Sequence, residues 1–323
     1  MESYTIIVPD NDILQRLCGT NDKNLKLIEN YLGVNIFARG NELSIESSDE
    51  EVLQKFRFVI DRILDEMSDP ADNTSPSELI RAVLNIDSPF AKHNTSLQHA
   101  DFSANSILIP GSIKKVYPRT KNQSDLVQLF RKYDMVFASG PAGTGKTFLA
   151  VVEALRLVLS HQKSGIILTR PVVEAGESLG FLPGDLEDKI NPYLRPLYDA
   201  MNAVLMRETV HKMTENGIIE IAPLAYMRGR TMNDCVVILD EAQNTTVEQM
   251  KMFLTRMGEG CKMFITGDAS QIDLPKRMTS GFVHALNILE GVEGIGMCHL
   301  NTEDVVRNEL VKRIVRAYEN EER

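Results

Sequence analysis

The chain of 323 residues is 43% hydrophobic and 25% charged, with a formal net charge of −10. These values fit a soluble protein of about two domains, and the acidic balance argues against a broad basic face that grips nucleic acid through phosphate neutralisation alone. No window offers the roughly 18 uninterrupted apolar residues of a membrane span, so no membrane partner is expected.

The opening "MESYTIIVPDNDIL" has no basic segment followed by an apolar run, which makes the cytoplasm the expected compartment. "YTIIVP" reads as a strand and "NLKLIENYLG" as a helix; "VNIFARGNELSIES" reads as a hairpin turning at Arg39, Gly40 and Asn41. In "DEEVLQKFRFVIDRILDEM", Val52, Phe56, Val59, Ile60 and Ile63 recur at helical spacing. Residues 1–67 are therefore expected to form a small α+β domain. Residues 68–104 turn to Ser, Asn, Asp and Pro around one helix, "SPSELIRAVLN" with Ser77 as its candidate N-cap, and are expected to be a linker.

The second domain is expected over 105–323. "DMVFAS", "SGIILTR", "CVVILD", "CKMFITG" and "GIGMCHL" are apolar runs without in/out alternation, as parallel strands buried on both faces require. The interval 172–217 breaks that rhythm and reads as a mainly helical insertion. Cys18, Cys235, Cys261 and Cys298 have no zinc-site spacing and read as reduced thiols; adjacent Cys298 and His299 suit opposite faces of a strand.

The sharpest signal is Gly140, Pro141, Ala142, Gly143, Thr144, Gly145, Lys146 and Thr147, a G-x-x-x-x-G-K-[ST] loop between a strand and a helix. Its glycines let backbone N–H groups and a helix N-terminus face a polyphosphate. Lys146 is expected to reach the β- and γ-phosphates, and the Thr147 hydroxyl to bind Mg²⁺. Asp240 and Glu241 end the strand "CVVILD": the first suits the metal shell, the second the polarising of an attacking water. Read alone, the pair could also cap a following helix. Asp268 and Gln271 in "TGDASQID" suit a contact that senses the γ-phosphate or, equally, a simple turn. Arg170, Arg277 and Arg307 are candidates for the guanidinium that stabilises phosphoryl-transfer charge.

Taken together, "GPAGTGKT", "TRP", "GFLPGDLEDKINPYLRPLYDA", "MRGRT", "VILDEAQN", "TGDASQID" and "VVR", spanning about 105–320, resemble the PhoH-like proteins. These are P-loop ATPases related to the RecA-type core of superfamily-one helicases. The resemblance implies an α/β fold with a helicase-like parallel sheet and a KH-like N-terminal domain, and makes Glu241 and Gln271 members of helicase motifs II and III. It places Gln123 where helicases read the adenine edge, which implies ATP as the nucleotide. A KH clamp uses a GXXG loop; Gly19, Thr20, Asn21 and Asp22 occupy its place here, with an acid for the second glycine. Helicases close their site with an arginine from a second core, and this chain holds one. The resemblance therefore implies a homo-oligomer, a hexameric ring, in which Arg307 faces the neighbour's γ-phosphate.

The expected activity is Mg²⁺-dependent ATP hydrolysis coupled to single-stranded or structured RNA, as a remodeller or helicase in RNA or rRNA processing. Arg170, Arg228 and Arg230, with Phe181, Tyr193 and Tyr226 as stacking candidates, are the expected RNA contacts. One alternative is an ATP-gated adaptor that docks the ribosome or a ribonuclease, since relatives are associated with a small endoribonuclease of rRNA maturation. Another is a small-molecule kinase, against which the Asp240 and Glu241 pair speaks.

Overall fold

In a computed structural model, residues 2–8, 10–68, 75–86, 105–111, 115–171, 195–275 and 277–305 are described. The chain divides into two units, one of Met1–Leu108 with Ile113–Thr120, the other of Ile109–Ser112 with Lys121–Arg323.

The first unit runs β1 (Glu2–Ile7), α1 (Asn11–Cys18), α2 (Lys23–Leu32), β2 (Ile36–Arg39), β3 (Glu42–Ser47), α3 (Glu50–Met67) and α4 (Pro76–Ile86). Its strands pair antiparallel in the order β1-β3-β2. The pleat turns Leu43 and Ile45 inward, and they are buried with Phe56, Val59, Ile60 and Ile63 of α3. Helix α1 escapes a periodicity reading because it is a mere 8 residues long, yet Asp10 caps it by accepting from Asp12 N at 2.7 Å.

The expected linker is revised. Leu79, Ile80, Ala82 and Val83 of α4 are buried in the same apolar cluster as Leu25 and Ile28 of α2, so this helix completes the first unit's core. It starts at Pro76, not after Ser77: Ser75 precedes it, its carbonyl accepts from Leu79 N, and proline suits the first helical position. Residues of the expected second domain also belong here. Tyr117 joins the cluster and donates to Glu66 Oε2 at 3.0 Å, and Arg119 reaches Glu78 at 3.1 Å.

The second unit holds α5 (Lys121–Lys132), β4 (Met135–Ser139), α6 (Lys146–Leu159), β5 (Gly165–Arg170), α7 (Arg207–Glu215), β6 (Ile219–Pro223), β7 (Cys235–Leu239), α8 (Val247–Leu254), β8 (Lys262–Gly267), α9 (Gly281–Ile288) and β9 (Ile295–His299). Its six strands form a parallel sheet in the order β6-β5-β7-β8-β4-β9. One face buries Phe137, Val237, Leu239 and Ile265 with Phe253 and Phe282. The other buries Val136, Ile238 and Phe264, whose ring lies 4.2 Å from that of Phe130 on α5. Burial on both faces is why these strands read as unbroken apolar runs. Edge strand β6 breaks that pattern with Glu220 and Pro223, and the apolar-run criterion passes over it. Within the interval 172–217, residues 195–202 and α7 are helical; 172–194 lie outside the described residues. No helix among the described residues is long and apolar enough to cross a membrane.

All strands being parallel, β4, β5, β7 and β8 deliver their following loops to one edge of the sheet, with Ser139 beside Gly267 and Thr169 beside Leu239. That edge carries the candidate site.

Candidate nucleotide-binding site

The loop between β4 and α6 can be built only from glycine at its bends. Gly140 has φ 147°, and a Cβ there would stand 2.5 Å from the Leu300 carbonyl oxygen. Gly143 and Gly145 are left-handed at 85° and 84°. Gly145 is the N-cap of α6 and no side chain caps that end, so the helix presents its first N–H groups to the loop's concave side. Thr144 is fully buried and donates to the Pro141 carbonyl at 2.9 Å. Gln123 braces the loop from beneath, its buried amide donating to the Thr144 carbonyl at 2.9 Å. The described contact of Gln123 is thus with the phosphate loop itself.

Lys146 folds back so that its ammonium donates to the carbonyls of Gly140 (2.6 Å) and Pro141 (2.8 Å). Burial pushes its pKa down, while the carboxylates of Asp268, Asp240 and Glu241 push it up. An ammonium surrounded by backbone oxygens at the mouth of a glycine loop is placed to exchange them for phosphate oxygens.

Asp240 is the hub of the adjoining carboxylates. Its Oδ1 accepts from the hydroxyls of Thr147 (2.6 Å) and Thr266 (2.7 Å), drawing the starts of α6 and the end of β8 onto β7. Its Oδ2 accepts from Arg170 Nε at 2.9 Å and lies 2.6 Å from Arg170 Nη2. Glu241 stands in the left-handed region at φ 52° with its side chain 47% exposed, and receives Arg170 Nη2 at 3.3 Å.

Gln243 carries the connection onward. Buried to 1% exposure, its amide nitrogen donates to Glu241 Oε2 (2.7 Å) and to the Gln271 carbonyl (3.2 Å), while its amide oxygen accepts from Asp268 N (3.0 Å). Asp268 in turn accepts from Ala142 N in the phosphate loop at 3.0 Å. A continuous chain of hydrogen bonds therefore runs from Glu241 through Gln243 and Asp268 to the loop.

The donor set fits a magnesium nucleotide. The Thr147 hydroxyl can donate its proton to Asp240 and still offer an oxygen lone pair, Asp240 is a hard oxygen ligand, and the glycine loop leaves no Cβ in the way. Lys146, Thr147, Asp240 and Glu241 are brought together as their sequence pattern implies. The Gln271 side chain is exposed, and its backbone joins the network, the carbonyl accepting from Gln243 at 3.2 Å and the N–H donating to the Asp268 carbonyl at 3.1 Å. The sequence alone assigns no role of their own to Gln243, which the resemblance sets in motif II, or to Thr266, which ends an apolar strand. Their signal is weak: a polar residue at the end of an apolar strand, and a glutamine after the acidic pair. Arg307 lies outside the described residues, and Arg277 is exposed.

The expected RNA contacts fare unevenly. Arg170 is engaged with Asp240 and Glu241. Arg230 makes a two-armed bond with Glu220, holding that carboxyl below its ordinary range. Arg228 is exposed and Tyr226, in the short helical turn after β6, is 54% exposed; Phe181 and Tyr193 lie outside the described residues. In the first unit Asn21 and Asp22 both take left-handed φ of 56° after Gly19.

Comparison with known proteins agrees with this geometry. Residues 115–319 match the family described as PhoH-like protein. The chain is 47% identical over 308 residues to a PhoH-like protein of Bacillus subtilis, covering 94% of this chain and 93% of that one. It is 42% identical over 318 residues to a PhoH-like protein of Synechocystis, covering 98% and 95%. Among solved structures, the Pif1 helicase of Candida albicans aligns at 14% identity with a TM-score of 0.32, over 60% of this chain and 42% of that one, too slight a likeness to bear on function. With its glycine loop, paired strand-end acids and parallel sheet, the chain belongs to the PhoH-like protein family, and its second unit is an α/β fold whose six-stranded parallel sheet carries a P-loop.

Proposed function

We propose that the protein binds ATP with Mg²⁺, hydrolyses it, and couples hydrolysis to RNA as a remodelling enzyme. The observation that carries this reading is the hydrogen-bonded chain from Glu241 through Gln243 and Asp268 to Ala142, which ties the water-activating position to the phosphate loop. A small-molecule kinase has no need of that wiring. Thr147 and Asp240 would hold the metal, which when bound supplies charge neutralisation on the β- and γ-phosphates. Lys146 exchanges its loop carbonyls for phosphate oxygens. Glu241, half in solvent and oriented by Gln243, accepts the proton of the attacking water. Loss of the phosphate would then be felt at Asp268, whose carboxylate shares the loop's Ala142 N–H.

In the same reading the first unit is a KH-like domain, and the chain works as a cytoplasmic homo-oligomer, a hexamer, in which Arg307 completes the neighbour's site. Asp22 in the left-handed turn after Gly19 sets a negative charge where a nucleic-acid clamp wants none, so that domain serves better for packing or docking. A second reading, an ATP-gated adaptor for an endoribonuclease or the ribosome, draws support from Arg230, whose charge is taken up by Glu220 and is not offered to a strand.

Steady-state ATP hydrolysis by the wild type and Lys146→Ala, with and without unstructured single-stranded RNA at low and moderate salt, separates these readings. Turnover that depends on Lys146 and rises with RNA supports the RNA-coupled enzyme. Lysine-dependent turnover indifferent to RNA supports the adaptor, and turnover unaffected by Lys146→Ala overturns both.

A further inference from the structure

We propose that Arg170 is a positioning residue that competes with the divalent cation for the carboxylate of Asp240 and lets go of Glu241 as it leaves, so that metal binding and arginine release are one linked exchange. This rests on the nucleotide reading above. A carboxylate has about four acceptor positions, and at Asp240 protein donors fill them: the Thr147 and Thr266 hydroxyls on Oδ1, and Nε and Nη2 of Arg170 on Oδ2. Asp240 is 2% exposed, so it cannot turn toward solvent for another partner. A cation, or a water bound to it, gains Asp240 only if one donor leaves.

Of these donors Arg170 is the one that yields. The two hydroxyls are neutral, so a cation does not repel them, and Thr147 can serve a cation through its oxygen without giving up its bond to Asp240. Arg170 carries a charge of the same sign as the cation and lies beside the very oxygen in question. It also holds Glu241 at 3.3 Å, a longer and weaker arm that is the first to open. Among the five ionisable side chains of the site, Lys146 and Arg170 are positive and Asp240, Glu241 and Asp268 negative. Removing Arg170 shifts this group from one net negative charge to two, and removes the competing donor together with the repulsion. The coupling is reciprocal: the cation weakens the arginine's hold by the factor by which the arginine weakens the cation's.

The test is the Mg²⁺ midpoint of the ADP-loaded full-length protein, read from a fluorescent ADP analogue during Mg²⁺ titration, for the wild type, Arg170→Gln and Arg170→Lys. Arg170→Gln is expected to bind Mg²⁺ about tenfold more tightly, within the roughly 5- to 150-fold span of ordinary site coupling. Arg170→Lys, which keeps the charge but loses the two-armed fork, is expected to fall between. Equal midpoints in the wild type and a folded Arg170→Gln protein overturn the proposal while leaving nucleotide binding intact. Failure of ADP to bind in a Lys146-dependent manner overturns this inference together with the reading beneath it. Should Arg170→Gln not fold, the wild type decides the matter through the ¹⁵Nε resonance of Arg170. That signal must move when Mg²⁺ is added to the ADP-loaded protein and stay put with ADP and EDTA; a resonance indifferent to Mg²⁺ refutes the exchange.

Discussion

Replacing Gln243 by leucine removes the side chain that joins the acidic pair to the phosphate loop, at little change in volume. The cost can be worked from its three hydrogen bonds. Asp268 N, on a residue 6% exposed, loses its acceptor at 3.0 Å, an orphaned buried donor that costs about 1–3 kcal/mol. The bond to Glu241 counts for less because that carboxylate is 47% exposed and solvent screens it, about 0.5 kcal/mol. Leucine regains part of the difference, since no side-chain amide is then buried. The net loss is about 2 kcal/mol, which for a unit of this size lowers Tm by about 4–8 °C. Thermal unfolding by circular dichroism measures it. Turnover should fall as well, because Asp268 is no longer fixed against Ala142 N. The Gln243→Glu variant keeps an acceptor for Asp268 N but sets a buried carboxylate oxygen against Glu241 Oε2 and the Gln271 carbonyl, and should not recover the stability. A Gln243→Leu protein that melts within about 1 °C of the wild type and hydrolyses ATP normally would refute the wiring.

Glu241→Gln keeps the shape of the site and removes the base. It should bind ADP with unchanged affinity while turnover falls by about 10²- to 10⁴-fold, and single-turnover kinetics on the ATP complex will distinguish that from a binding defect. Gly140→Ala forces a Cβ to 2.5 Å from the Leu300 carbonyl at a φ that L-residues avoid. It should lose about 2 kcal/mol or more in urea unfolding, and an unchanged midpoint would contradict the close approach of the loop to the chain after β9. Burial, with Asp125 and Asp304 nearby, pushes the Cys298 thiol up to about 12. Its folded pKa is raised above the unfolded value, so the neutral thiol's contribution is complete below about pH 8.5 and is lost as pH climbs toward 12. Wild-type stability should therefore fall over that alkaline window with a component that Cys298→Ala abolishes. Native protein should also resist iodoacetamide at Cys298 at neutral pH.

Those groups whose function depends on the chain immediately around them were legible from order alone. The loop from Gly140 to Thr147 needs a strand before it, a helix after it and glycine where φ is positive, and all three conditions are local. The Asp240 and Glu241 pair declares itself by ending an apolar strand. Four of the six parallel strands of the second unit and its edge strand β9 were visible for the same reason, as apolar runs, whereas β6, interrupted by Glu220 and closed by Pro223, was not. The linker reading failed at α4 because a polar surrounding composition says nothing of the apolar face that Leu79, Ile80 and Val83 press against α2 and α3. What the tertiary structure alone decided is which side chains meet. Arg170 reaches Asp240 across 70 positions of sequence, Asp268 reaches Ala142 across 126, and Gln123 reaches Thr144 across 21. These meetings follow from the order β6-β5-β7-β8-β4-β9, which seats β7 between β5 and β8 and sets β8 beside β4. Strand order is chosen by the packing of the whole sheet and its helices, and no residue's neighbours in sequence carry that information.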